Sequence, residues 1–349
     1  MWLISLRDLQ WRLRRFVIAV VATGLVFGMS LLMAGSVFTL YEDGRRIVRS
    51  FGADAWVVAE GTSGPFTTSS PIPAPAAAEV ARAPGVTAAE PVVIFQSTVG
   101  GDDALRDINL IGYRPGSFVA GPVTSGRRLQ APGETVADVE LGVDLGEVVS
   151  AGGHDLVVVG LAEQVTWYFG QPTLFVALDD AQAIAFRGQP LAMGVATAGV
   201  PDALPEGLRT LTNEQVVADL DRLLESAVQT IDLLNVLLWI VAAGIIGSMV
   251  YLSALERSRD FAVFKATGAT NRGLLAGLVL QAVVLSAAAA VVATIVAWLL
   301  KPFFAFTVEI PAPIYLRLCV VVLVVGLLAS LAGLRRAVKV EPALAFGGG

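Results

Sequence analysis

Charge is scarce in this chain: 15% of its 349 residues are Asp, Glu, Lys or Arg, where an ordinary soluble domain carries about 25%. With 55% hydrophobic residues and a mean hydropathy of +0.70, the sequence excludes a soluble globular protein of this length and requires a bilayer. Lysine is rarer still. Lys265, Lys301 and Lys339 are the only three, preceded by Phe264, Leu300 and Val338. A phosphate-cradling loop needs Gly-Lys-Ser/Thr, so this chain does not hydrolyse ATP by that route. The single cysteine, Cys319, excludes an internal disulfide scaffold. The single histidine, His154, follows Gly152-Gly153 as a turn leading into a strand. There is no His-Glu-x-x-His, no Gly-x-Ser-x-Gly and no zinc-ligand spacing. Asp102-Asp103 and Asp179-Asp180 are adjacent pairs, which point apart on a strand and read as solvated carboxylates. The chain is therefore expected to be non-catalytic, to hold no metal or cofactor of its own and, at a net charge of −6, to bind no nucleic acid.

Long uncharged runs are what the sequence has instead. Four of them, 16–40, 233–255, 274–300 and 318–334, reach or approach the roughly 20 residues that cross a bilayer core. The fourth, at 17 residues, is expected to borrow Ile314 to Leu316 while Arg317 snorkels. Arg7, Arg12, Arg14 and Arg15 precede the first run; Arg257, Arg259, Lys265 and Arg272 separate the second from the third; Arg335, Arg336 and Lys339 follow the fourth. Basic residues are retained on the cytoplasmic side. The expected organisation is thus a cytoplasmic N-terminus (1–15), a first span, an extracytoplasmic domain with helical stalks (41–232), a second span, a cytoplasmic connection (256–273), a third span, a short external loop (301–317), a fourth span and a cytoplasmic tail (335–349). The first run, at 25 residues, is too long for the core of a signal peptide and reads as an uncleaved anchor. Abundant Ala, Gly and Val, with 21 Arg against 3 Lys, suit a bacterial chain of high-GC coding, hence a multi-pass protein of the bacterial cytoplasmic (inner) membrane.

Residues 41–232 hold 11 Arg and 25 acids, a net −14. Trp56 to Val58, Val92 to Phe95, Ile108 to Ile111, Leu156 to Val159 and Thr173 to Val176 are short β-rich runs bounded by turn formers. Ala76 to Ala83 and Leu178 to Phe186 read as short helices, and Gly61 to Pro75, dense in Thr, Ser and Pro, as an exposed loop. Thr212-Asn213-Glu214-Gln215 has the spacing of a capping box. The apolar residues that follow recur at intervals of three and four into the second span, predicting one helix from Asn213 to Leu255. The first span is likewise expected to continue through Gly44, Ile47, Val48 and Phe51. Within the spans no charged residue indicates a proton relay or ion path. Gly24 and Gly28 place small residues one turn apart, as ordinary close helix packing requires.

The most ordered stretch is Glu256-Arg257-Ser258-Arg259-Asp260-Phe261-Ala262-Val263-Phe264-Lys265-Ala266-Thr267-Gly268-Ala269-Thr270. It resembles the Glu-Arg-x-Arg-Glu-Ile-Gly-Val-Leu-Lys-Ala-Leu-Gly-Ala pattern of FtsX-like ABC transporter permeases, the MacB and LolCDE superfamily of type VII. Asp260 stands where Glu is usual. The tail from Arg335 to Ala343 is similar to that family's Arg-Arg-Ala-x-x-x-Asp-Pro-Ala, with Leu344 where an acid is frequent. Ala55 to Val58, Pro84 to Val86 and Phe175 to Gln182 resemble parts of its periplasmic core domain. The resemblance implies a four-helix membrane protein with a mixed α/β extracytoplasmic domain of the MacB periplasmic-core type. It also implies that 256–273 is a coupling helix resting on a separate cytoplasmic ABC ATPase. Glu256, Arg257, Arg259, Asp260, Lys265 and the turn at Gly268 would then lie at the docking surface, with Phe261, Val263 and Phe264 giving apolar contact. Two ATPase copies, which bind the ATP and Mg, and a second permease protomer in a homodimer or heterodimer are the implied partners. Two functions remain open at this stage. One is mechanotransmission that exports or extracts a lipid-linked, peptide or hydrophobic cargo; the other is a signalling or scaffold role in which the outer domain regulates a cell-wall hydrolase or senses a ligand.

Overall fold

The computed structural model describes residues 13–67, 70–100, 105–256, 263, 271–304 and 306–338. Among the described residues four helices are long and apolar enough to cross a membrane: α1 (Leu13–Ser50), α4 (Asn213–Glu256), α5 (Asn271–Leu300) and α6 (Ala312–Val338). α6 opens after Pro311, so Ile314 to Leu316 are helical and the fourth span gains the length that 17 uncharged residues lack. The chain forms two compact units, one of residues 1–39 and 227–349 and one of residues 40–226.

The first unit is a helix bundle whose seam is built from small residues. α5 contributes Ala282, Ala289, Ala293 and Ala297, at intervals of seven and four, and α4 Ala242, Ile246, Val250 and Ala254, four apart. α1 meets α5 through two glycines: a Cβ on Gly24 would fall 2.5 Å from a Val292 methyl, and one on Gly28 2.8 Å from Val296. Only glycine lets those backbones come so close. Phe27, Leu31 and Leu32 fill the remaining centre from α1. Outward faces of α4, α5 and α6 stay apolar and exposed, as at Leu237, Ile240, Val291 and Val320, which suits contact with lipid.

The second unit is mixed α and β. Its strands are β1 (Ala55–Ala59), β2 (Ile72–Pro73), β3 (Ala88–Val99), β4 (Arg106–Tyr113), β5 (Ser125–Gly126), β6 (Glu134–Asp138), β7 (Val148–Ala151), β8 (His154–Ala162), β9 (Thr173–Ala177), β10 (Leu191–Ala192), β11 (Gly194–Ala198) and β12 (Leu208–Thr212). Two short helices, α2 (Ala76–Val80) and α3 (Leu178–Phe186), join them. The main sheet runs β12-β1-β11-β3-β4-β9-β6-β8-β5, while β7 pairs with β3 and β8. β3 is the shared strand. Its first half pairs antiparallel with β11 and its second half, from Val93 on, with β4. Alternation sorts the side chains onto two buried faces. Ile94, Ile111 and Phe175 join Trp56, Val58 and Leu211 in one core, which also takes Ile47, Val48 and Phe51 of α1 and Val216 and Leu220 of α4. Val93, Leu110, Leu174 and Val176 face a second core closed by Leu178 and Ala181 of α3. α3 packs this closely because Gly112 has no side chain; a Cβ there would overlap the Ala181 methyl at 2.2 Å.

Three readings of the sequence change. Gly61 to Pro75 is not simply an exposed loop: Phe66 stacks edge-on against Phe51, Trp56 and Trp167, Thr62 is buried, and Ile72–Pro73 pairs with β10. The polar composition hid two apolar anchors worth burying. The helix read over Ala76 to Ala83 stops at Val80. Asp180 is not merely solvated; its carboxylate accepts from the Gly133 N–H at 2.7 Å and ties α3 to the turn before β6, and its half-burial raises its pKa. Asp102-Asp103 lies outside the described residues.

Candidate functional site

The connection between α4 and α5 begins where α4 ends, at Glu256. The Arg15 guanidinium, from the start of α1, donates to Glu256 Oε1 at 2.5 Å. One turn back along α4, the Ser253 hydroxyl donates to Gln281 Oε1 of α5 at 3.1 Å. Three helices are thus tied together at the edge of the charged stretch. Val263 is helical and about half exposed. Arg257, Arg259, Asp260, Phe261, Phe264, Lys265 and Gly268, the other residues expected at the docking surface, lie outside the described residues.

A polar cluster that hydropathy passes over sits toward the other end of the bundle. Trp239 Nε1–H donates to Ser30 Oγ at 3.0 Å, and the Ser30 hydroxyl donates to Asn235 Oδ1 at 2.8 Å. Both Ser30 and Asn235 are buried. None of the three carries charge, so a scan for ionisable residues in the spans misses them; the available signal was the one-turn spacing of Asn235 and Trp239.

In the second unit the helix starts and the sheet are locked by side chains. Thr212 and Gln215 form the reciprocal capping box: the Gln215 N–H donates to Thr212 Oγ1 at 3.2 Å and the Thr212 N–H to Gln215 Oε1 at 2.9 Å. Asn213 accepts from Trp56 Nε1–H at 2.8 Å and donates to the Ala53 carbonyl at 2.8 Å. The first turns of α4 are therefore fixed to β1. Thr67 donates to Asp219 of the same helix.

An aromatic cavity of about 390 Å³ opens in this unit, lined by Phe66, Phe95, Gln96, Trp167, Tyr168 and Phe186 among others. The loop beside it is strained: Gln164, Tyr168 and Phe169 have φ of 59°, 51° and 62°. A left-handed conformation costs a bulky L-residue about 1–2 kcal/mol. Asn109, fully buried on β4, offsets that cost by donating from Nδ2 to the carbonyls of Trp167 at 3.2 Å and Gln171 at 3.1 Å. Phe169 is left 42% exposed. Nothing in the sequence marks this loop, because positive φ at non-glycine residues is imposed by tertiary contacts.

Two carboxylates of this unit are displaced in opposite directions. Burial drives Asp138 up to about 6, although it accepts from the N–H groups of Glu140 and Thr173. Arg127 grips Glu134 with both guanidinium arms, at 2.8 and 2.6 Å, and holds its carboxyl down to about 2. His154 is exposed, its Nδ1 3.3 Å from the Gly152 carbonyl. Among the described residues no group of three His, Cys, Asp or Glu is arranged to hold a metal.

Comparison with known proteins joins these features. The FtsX-like permease C-terminal family matches residues 233–342. An uncharacterized ABC transporter permease of Mycobacterium tuberculosis H37Rv is 45% identical over 344 residues, 99% of either chain. The putative hemin transport system permease HrtB of Staphylococcus epidermidis is 26% identical over 149 residues, 41% of either chain. Among solved structures, the periplasmic region of MacB from Actinobacillus actinomycetemcomitans aligns at a TM-score of 0.36 and 10% identity, covering 50% of this chain and 95% of that one. With full-length identity to an ABC transporter permease and the family match over its last three membrane helices, the chain belongs to the FtsX-like ABC transporter permeases.

Proposed function

We propose that this permease is the membrane half of a two-part machine in which a separate cytoplasmic ATPase does the hydrolysis and the mixed α/β unit performs the work. The observation that carries the reading is the charged connection after α4. It lies inside the family match at 233–342 and begins at a residue that Arg15 ties to α1. In this reading 256–273 docks on the ATPase. Arg257, Arg259, Asp260 and Lys265 make rim ion pairs while Phe261, Val263 and Phe264 give apolar contact. Force applied there passes into α1, α4 and α5 together. Two ATPases, holding ATP and Mg, serve two permease protomers, alike or different. Basic residues flanking the spans support a topology with both termini in the cytoplasm of a bacterial cell and residues 41–232 outside its cytoplasmic membrane. The cargo class is lipid-linked, peptide or hydrophobic, and the relative named for hemin transport is consistent with a hydrophobic one.

The test is to purify the chain with the ATPase encoded beside its gene and measure ATP hydrolysis in lipid. Stable co-purification and stimulated hydrolysis are expected. Arg259→Ala combined with Phe264→Ala should abolish the stimulation while membrane insertion persists; undiminished stimulation by that double variant overturns the docking assignment. A second reading is favoured by the aromatic cavity and the exposed Phe169 beside it, which suit a partner or sensed ligand held without transport. Recovery of a cell-wall hydrolase on the intact permease, lost in Phe169→Ala, would select that reading.

A further inference from the structure

Between α1, α4 and α6 lies a partly open cavity of about 190 Å³. Two buried polar residues line it, Ser30 and Asn235, 4% and 6% exposed. The indole of Trp239 can only donate, so the Ser30 oxygen accepts from it and the Ser30 hydrogen is directed at Asn235 Oδ1. Asn235 lines the cavity with its Oδ1 engaged by Ser30, and its Nδ2 group makes no hydrogen bond among the described residues. An amide donor that lacks an acceptor within the protein makes an arriving one favourable. Two exposed charges line the same cavity, the Arg317 guanidinium and the Asp232 carboxylate. Among the described residues they form no salt bridge with each other. The remaining wall is aliphatic, with Leu318 and Val321 of α6 along it.

The size of the cavity narrows the occupant. It is smaller than the roughly 300–1,000 Å³ that encloses a drug-sized ligand, so it accepts one end of a molecule whose remainder lies elsewhere. In a bundle surrounded by lipid, that remainder is an acyl chain. The charges then select the head group. A phosphate meets Arg317 and the Asn235 amide, and an ammonium on the same head meets Asp232. We infer that this cavity binds a zwitterionic, primary-amine phospholipid of the phosphatidylethanolamine type, by its phosphoethanolamine head and the first part of an acyl chain. The inference rests on the membrane placement of the bundle and is independent of ATP coupling.

Trp239, in the wall, is the reporter. The full chain in a mild detergent is titrated with phospholipids brominated on the acyl chain, and the quenching that disappears in Trp239→Phe is read as the site signal. Brominated phosphatidylethanolamine should half-quench that signal at a mole fraction at least about threefold below that of phosphatidylglycerol or phosphatidylcholine, a modest factor for one or two charge-assisted contacts. Arg317→Leu should weaken every phospholipid, whereas Asp232→Asn should erase only the preference for the amine head. Val321→Phe, which fills the cavity without touching the polar groups, should abolish the signal and guards against a misfolded polar variant. Free phosphoethanolamine should fail to compete at millimolar concentration; competition would mean that the head alone is bound and would overturn the lipid assignment. Equal quenching by all three lipids, unchanged by Val321→Phe in a protein of normal helical content, would reduce the site to ordinary boundary lipid and overturn the proposal.

Discussion

The two units of this protein solve the same packing problem with different residues. In the bundle much of the buried seam along α5 is alanine, with glycine where α1 meets α5; in the second unit the cores are closed by Trp56, Tyr113, Phe175 and large aliphatics. The solvent explains the difference. In water, removing a large apolar side chain from solvent is itself the driving force. In lipid that force is absent between helices, and close approach of backbones takes its place. Side-chain size is therefore the stabilising variable in the second unit and the destabilising one where α1 meets α5 at Gly24 and Gly28.

Substitutions of opposite sense test this contrast. Trp56→Ala, which removes a fully buried ring and its bond to Asn213, should destabilise the mixed unit by about 3–5 kcal/mol, read as accelerated amide exchange across β1, β11 and β12 in the intact protein. Truncating the largest buried ring of the bundle should matter less, so comparable loss from Phe27→Ala would weaken the contrast.

Charge burial separates the units in a second way. Asp138 has a folded-state pKa of about 6 against an unfolded value near 3.8. Its folded form takes up a proton first as pH falls, so the associated stabilisation is complete below the unfolded pKa and is lost as pH rises through about 6. Asp138→Asn should flatten the stability of β6 between pH 4 and 6 and raise it at pH 7 by up to about 3 kcal/mol; a slope that survives the substitution assigns it to another group. Glu134 acts with the reverse sign, its contribution present above the unfolded value near 4.5 and fading as pH falls toward about 2.

Enlargement is the matching test for the bundle. Gly28→Leu drives a side chain into Val296 and should cost about 1–3 kcal/mol or force α1 and α5 apart, visible as a lower melting temperature in detergent. Gly133, whose surroundings are open, tolerates no such reading because its φ of 79° is itself the constraint. The smallest expected effect is Thr212→Ala, which breaks the capping box and should cost about 1 kcal/mol, seen as fraying of the first turn of α4; unaltered exchange there would mean that Asn213 and Trp56 hold the helix start without the cap.

Much of this was legible in the residues. The membrane helices follow from uncharged length alone, and the start of α4 from Thr212 and Gln215, because both signals are local. Strands with apolar runs, such as Val92 to Phe95 and Thr173 to Val176, were readable for the same reason. β11 was not: Gly194-Val195-Ala196-Thr197-Ala198 is weak in β-formers, yet it lies between β1 and β3 with almost every residue buried. Its strand identity comes from two neighbours. The connection after α4 was legible as an ordered charge pattern, but the tie from Arg15 to Glu256 joins positions 241 apart in sequence.

The sequence by itself determined that the chain lives in a membrane, carries a large acidic segment between its first two spans and lacks a nucleotide-binding loop, since composition and spacing are summed along the chain. Only the tertiary structure decided that Phe66 belongs to a core, that Tyr168 and Phe169 are held left-handed, and that Asn235, Ser30 and Trp239 converge beside Arg317. These depend on which distant residues meet, and an uncharged polar group or a strained torsion acquires its meaning only from the neighbour that satisfies it or fails to.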